Sequence, residues 1–159
     1  MTENVANKSS FDPAKYRHWY QTPLGIKVNH DEKEVVFSSA NLTQREVVLD
    51  LGCGEGNFTE EIALRSKLVV GLDLSMEMLQ AARARLHHHE NIAWVQAQGE
   101  YLPFEDASFD VVVAITVLSF IQDKLTVVTG LTHKDKSQVS KGFLGQGMLE
   151  NLVLKAETR

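Results

Sequence analysis

The chain is poor in the residues that would place it outside an ordinary reducing compartment. It carries a single cysteine, Cys53, so no internal disulfide can form, and a cytoplasmic setting is expected. Positive charge is not in excess either. The formal net charge is −5 and no basic stripe is visible, which argues against nucleic acid as a partner. No apolar run approaches the roughly 18 residues of a membrane span. The first ten residues, MTENVANKSS, lack the apolar core of a secretory signal and are expected to fray. No internal repeat or low-complexity linker interrupts the chain. Its 159 residues, 43% of them apolar and 23% charged, suit one globular domain.

What is present is a rhythm. Residues 46–51, EVVLDL, form a short β-branched run ending in glycines, the profile of a buried parallel strand. A helix is predicted over 57–66, with Phe58, Ile62 and Arg65 along one side. A second buried strand follows over 67–74. The stretch 75–89 reads as the clearest helix. Ser75 is its N-cap, and Met78, Leu79, Ala82 and Leu86 form its apolar stripe. Strands over 91–97 and 109–115 complete the series, separated by a PFEDAS turn. Strands alternating with helices argue for βαβ units and an α/β, doubly wound, mostly parallel sheet. Upstream, short helices are predicted over 14–22, between Pro13 and Pro23, and over 31–41, with Val35, Val36 and Phe37 as an apolar face. Downstream, 125–131 reads as a fifth strand. A polar loop follows, and then a short helix over 148–156 with Leu149, Leu152, Val153 and Ala156 on one face.

Between the first strand and its helix, Gly52, Gly54 and Gly56 fall at alternate positions. Glycine adopts positive φ cheaply, and its missing side chain lets a ligand reach the backbone. In an open α/β sheet that turn lies where ligands bind, beyond the carboxyl ends of the strands. The helix that follows offers free N–H groups there. Asp73 ends the second strand, 21 residues after Gly52, where an acid suits a ribose diol. The ligand predicted is therefore a nucleoside across the tips of the first two strands. The spacing is G-x-G-x-G rather than the G-x-G-x-x-G of dinucleotide sites. Asn57 stands at the third glycine position of that pattern, and Glu55 places a carboxylate where a pyrophosphate would want none. Both features point to a ligand without phosphates.

Three stretches in order, VLDLGCGEG, VVGLDLSMEMLQAAR and AQGEYLPFEDASFDVVVA, resemble the successive motifs of class I S-adenosylmethionine-dependent methyltransferases, closest to the small-molecule type that includes quinone-biosynthesis enzymes. FDPAKYRHWYQTPLG resembles their lead-in segment, and the likeness runs over about residues 11–123. The resemblance implies a Rossmann-like fold, S-adenosyl-L-methionine as cofactor and a small-molecule methyl acceptor. It implies that Asp50, Gly52, Cys53 and Gly54 line the methionine part and that Asp73 binds the ribose hydroxyls. Leu74 and Met78 would lie near the adenine, with Gln98 and Gly99 at its polar edge. Ile115 and Thr116 would sit close to the reactive methyl. His18, Trp19 and Tyr20 would belong to a lid, and His18 is the one candidate base. In-line displacement from a sulfonium needs alignment and exclusion of water more than a strong base.

Other readings stand beside these. Asp50 reads equally as a cap of the turn, and Cys53 as a small buried filler. His87, His88 and His89 read as a solvated helix end whose rings point apart, so no metal is expected. The resemblance divides the chain into an N-terminal helical lid region (1–45), a cofactor-binding core (46–123) and an atypical C-terminal segment (124–159). In the family a helix with an E-x-x-R-x-L pattern and a K-P-G-G turn follow strand 4. Here FIQDKLTVVTGL leaves no room for the dozen or so residues of a parallel crossover. The expectation is a C-terminal part that is incomplete, with an exposed edge at strand 4 inviting a homo-oligomer. The alternatives are a catalytically impaired cofactor-binding or interaction module, and a nicotinamide-dependent oxidoreductase.

Overall fold

A computed structural model describes residues 13–99, 101–115, 117 and 152–155. The chain divides into two compact units between Glu34 and Val35.

The first unit holds α1 (Pro13–Tyr20) and the start of α2 (Pro23–Ala40). Thr22 turns the chain between them. Its hydroxyl donates to the Trp19 carbonyl at 2.7 Å and accepts from the Gly25 N–H at 3.0 Å. Pro23 then sits at the first helical position, where its missing N–H costs nothing. A Cβ on Gly25 would lie 2.0 Å from the Trp19 carbonyl oxygen, so the corner requires glycine. This capped start explains why α2 begins eight residues before the helix read from the apolar pattern, which opened at residue 31.

The second unit is a sheet. Its strands are β1 (Val47–Leu51), β2 (Leu68–Asp73), β3 (Ile92–Gln96), β4 (Val111–Ala114) and β5 (Leu152–Lys155). Among the described residues their order is β3-β2-β1-β4-β5. β1 pairs in parallel with β2 and with β4, and β2 with β3. The helices α3 (Thr59–Arg65) and α4 (Met76–Arg85) connect successive strands, as the βαβ rhythm predicts. Alternate residues face opposite sides of the sheet. Val48, Val69, Val111 and Val113 pack with Val36, Ala40, Phe58, Ile62 and Ala63 of the helical layer. Leu49, Leu51, Val70, Leu72, Val112 and Ala114 pack on the other face with Phe109, and Leu102 and Phe104 extend that layer. The stripe expected on α4 is buried, and the Ser75 hydroxyl accepts from the Met78 N–H at 3.3 Å.

The C-terminal expectation needs correction. Residues 152–155 form a strand antiparallel to β4, with Val153 opposite Val113, and not part of a helix. In a short stretch, apolar residues at helical spacing also fit a strand. Here the unpaired backbone groups along β4 decide the matter, because a sheet edge gains hydrogen bonds from any extended segment laid beside it. The edge that motivated self-association is therefore filled from within the chain. The strand predicted over 125–131, together with Leu149 and Ala156, lies outside the described residues. No helix among the described residues is long and apolar enough to cross a membrane.

Candidate functional site

The turn after β1 is built around three left-handed glycines. Gly52, Gly54 and Gly56 have φ of 75°, 54° and 81°. Each serves a different need. A Cβ on Gly52 would lie 2.5 Å from the Val117 side chain, and one on Gly56 would lie 2.8 Å from Leu86 Cδ1. A Cβ on Gly54 would meet nothing within 4 Å. Gly52 and Gly56 are therefore set by packing as well as by backbone angle, whereas Gly54 borders open space.

Hydrogen bonds pin the turn to the tip of β2. The N–H groups of Gly52 and Cys53 donate to the Leu72 carbonyl at 2.8 and 2.9 Å. The Gly54 N–H donates to Asp73 Oδ2 at 2.9 Å, and the Ser75 N–H donates to Asp73 Oδ1 at 2.8 Å. One carboxylate thus ties the glycine turn to the start of α4. On the other side Arg85 grips the same loop. Its guanidinium donates to the Gly56 carbonyl at 2.7 Å, to the Glu55 carbonyl at 3.2 Å and to Glu60 Oε2 at 2.5 Å.

Asp50 lies beneath the turn on β1, with 2% of its surface exposed. The Thr59 hydroxyl donates to its Oδ2 at 2.5 Å. Burial pushes the Asp50 carboxyl up to about 7, the Asp73 charge adds to the rise, and the Thr59 hydrogen bond opposes it. Cys53 is buried, and its Sγ would be 3.2 Å from a Cβ on Gly71. Burial and the charges of Asp50 and Asp73 push its thiol far up, which suits the filler reading.

The structure brings Asp50, Gly52, Cys53, Gly54 and Asp73 together at the tips of β1 and β2. Leu74 follows directly and is 64% exposed, whereas Met78, in the first turn of α4, is buried. Gln98 and Gly99 lie just beyond β3, where the Tyr101 N–H donates to the Gln98 carbonyl at 3.0 Å. Ile115 follows β4 and is buried in the layer of α2 and α3. Thr116 lies outside the described residues. His18, Trp19 and Tyr20 belong to the first unit, with His18 exposed and the Trp19 and Tyr20 rings edge to face at 4.9 Å.

Three contributors went unrecognised in the sequence: Thr59, Arg85 and Gln96, whose amide donates to the Leu74 carbonyl at 3.0 Å. Each acts on a residue 9 to 30 positions away, so no local pattern marks it. A further difference lies after α4. The helix ends at Arg85 and the chain turns, so that the His88 and His89 rings come within 4.3 Å of one another instead of pointing apart.

With this geometry in view, the likenesses to known proteins have a clear meaning. A family model described as a methyltransferase domain matches residues 48–132, more than half of the chain. Demethylmenaquinone methyltransferase of Tropheryma whipplei (strain Twist) is 42% identical over 77 residues, 48% of this chain and 32% of that protein. The chain spans about a third of the length of the curated relatives it matches. The YcgJ protein of Bacillus subtilis superposes with a TM-score of 0.62 at 25% identity, over 67% of this chain and 47% of that one. A SAM-dependent methyltransferase of Aquifex aeolicus shares the fold, with a TM-score of 0.64 at 19% identity over 77% and 68%. With more than half of its residues matched by that model, the chain belongs to the methyltransferase-domain family.

Proposed function

We propose that the chain binds S-adenosyl-L-methionine across the tips of β1 and β2 and transfers its methyl group to a small-molecule acceptor. The observation that carries this reading is the Asp73 carboxylate, which joins the turn at Gly54 to the start of α4. A carboxylate accepts about four hydrogen bonds. Two are met by these N–H groups, which leaves capacity for a ribose diol.

The residues suit the group in two further ways. The open space at Gly54 would admit a close approach of the ligand to the backbone. Two carboxylates, Asp50 and Asp73, repel each other beside that turn, and a cationic ligand relieves the repulsion. When bound, S-adenosylmethionine supplies a methyl group on positively charged sulfur. The backbone of Gly52, Cys53 and Gly54 would hold the methionine part, with Asp50 behind it. Exposed Leu74 would cover the adenine from one side, with Met78 beneath it, and Gln98 and Gly99 would meet its polar edge. Ile115 and Thr116, past β4, would border the acceptor. These groups bind, orient and exclude water, which is most of what methyl displacement asks of a protein.

The test is thermal unfolding with S-adenosylmethionine, S-adenosylhomocysteine and NADH in parallel. A specific ligand raises the midpoint by mass action. The two sulfur nucleosides should raise it and NADH should not. Formation of S-adenosylhomocysteine across a panel of small acceptors then reports transfer. A response to NADH alone, or to none of the three, overturns the binding reading. Binding without turnover on any acceptor overturns the transfer reading.

A further inference from the structure

The side of the glycine turn held by Arg85 carries a second constellation, independent of the cofactor reading. After α4 the Leu86 N–H donates to the Ala82 carbonyl at 2.9 Å and the His89 N–H to the Leu86 carbonyl at 3.0 Å. Leu86 is 1% exposed, so the turn hangs from a buried anchor. Further along, the Asn91 amide donates to the Ala63 carbonyl at 2.8 Å and ties the chain to the end of α3. Held between these points, the His88 and His89 rings lie side by side, 4.3 Å apart with planes tilted by 40°. Glu60, in the first turn of α3, completes the group. One donor atom from each of Glu60, His88 and His89 lies within 4.8 Å of the others. His87 is turned away, with Nδ1 2.9 Å from the Ala84 carbonyl at the end of α4.

We propose that Glu60, His88 and His89 form a binding site for a divalent transition-metal ion, zinc being the best match. Two imidazoles and one carboxylate are a three-residue donor set that leaves a fourth position for water. Hard ions such as magnesium and calcium prefer oxygen ligands and are poorly served by imidazole. Around a tetrahedral zinc with bonds near 2.1 Å, donors stand about 3.4 Å apart. The 4.8 Å spread is wider, but His88 is exposed and His89 and Glu60 are half-buried, so side-chain rotation can close it. The positive neighbour is Arg85, paired with Glu60 Oε2. A carboxylate has lone pairs on both oxygens and can serve guanidinium and metal together. The ion would brace α3 against the chain after α4, beside the arginine that grips the Gly56 carbonyl.

The test uses the full chain, freed of metal by chelation, and titrates it with zinc by calorimetry and with cobalt by visible spectroscopy. One equivalent should bind, with cobalt bands of a low-coordinate nitrogen and oxygen site. His88→Asn and His89→Asn should each weaken zinc at least about tenfold. His87→Asn should leave it unchanged, and Glu60→Gln should weaken it with both histidines intact. Magnesium should give no signal. Absence of one-equivalent binding tighter than about 100 μM, or binding equally strong in the His88→Asn/His89→Asn double variant, overturns the site. Both histidine variants lie on a surface turn, and their unfolding midpoints without metal should match the parent chain. A lowered midpoint in either variant, with zinc affinity retained, likewise counts against metal ligation.

Discussion

The hydroxyl of Thr59 donates to the buried carboxyl of Asp50 at 2.5 Å. The bond favours the ionised form, against burial and the Asp73 charge. Thr59→Val keeps the shape and removes the donor, so the folded pKa of Asp50 rises further above its present value near 7. A group whose folded pKa is raised loses stability as pH climbs, from its unfolded value through its folded one. The variant should therefore lose roughly 1–3 kcal/mol at pH 8.5, where the parent holds a carboxylate, and less at pH 5.5. Urea unfolding at the two pH values is the check, and equal losses would refute the linkage. The same reasoning reaches the ligand. A cation beside Asp50 favours its ionised form, so binding near pH 6 should release protons, seen as a dependence of calorimetric heat on the buffer.

Asp73 has a structural and a ligand role that can be separated. Hydrogen bonds to a charged group contribute roughly 1.5–3 kcal/mol. Asp73→Ala should weaken S-adenosylmethionine roughly 10- to 100-fold in calorimetry. It should also lower stability, because the N–H groups of Gly54 and Ser75 lose their acceptor. Asp73→Asn retains one acceptor oxygen and should recover part of the stability but little of the affinity. Unchanged affinity in both variants would show that the ribose lies elsewhere.

Gly54 and Gly56 should respond differently to alanine. At Gly54 only the backbone angle resists, so stability should fall by about 1 kcal/mol. The added methyl nevertheless enters the space assigned to the ligand, and affinity should fall most here; Gly54→Val should be worse still. At Gly56 the methyl also meets Leu86 Cδ1 at 2.8 Å, so stability should fall further. An equal loss of stability at both positions, measured by urea unfolding, would contradict the packing described for Gly56.

Glu46 predicts acid behaviour. Burial acts to raise its carboxyl, but hydrogen bonds from the Thr43 N–H and hydroxyl and the Arg45 N–H hold it down at about 2. A depressed carboxyl stabilises the fold above its unfolded pKa, near 4.5, and that contribution fades as pH falls towards 2. Glu46→Gln should cost about 1–2 kcal/mol at pH 7 and progressively less between pH 4.5 and 2, where the two stability curves converge. Parallel curves through that range would refute the assignment.

The parts of the molecule legible in the sequence are those whose signal is local. The β-branched runs of β1, β2 and β4, the Ser75 cap and the stripe of α4 all lie within a few residues of what they determine. The glycine turn with Asp73 was legible because two features at a fixed interval constrain each other. Thr59, Arg85 and the pairing of β5 with β4 were not, because each depends on which distant segments meet. The histidines after α4 show the same limit. Helical geometry says that consecutive rings diverge, and it fails once the helix ends at Arg85 and the chain turns.

Cys53 tests the electrostatics of the turn from within. Its thiol is buried and lies near two carboxylates, and both effects disfavour the thiolate. Because the thiolate is the reactive form, the native chain should react with an aromatic disulfide reagent far more slowly than the chain in denaturant. Asp73→Asn removes one of the repelling charges while Cys53 stays buried, so the native rate should rise modestly, by less than denaturation raises it. Cys53→Ala should fold and bind S-adenosylmethionine within a few-fold of the parent, since the proposed binding uses only the backbone of residue 53. Rapid labelling of the native chain, or loss of binding in Cys53→Ala with stability intact, would mean that the sulfur faces the site instead of the core.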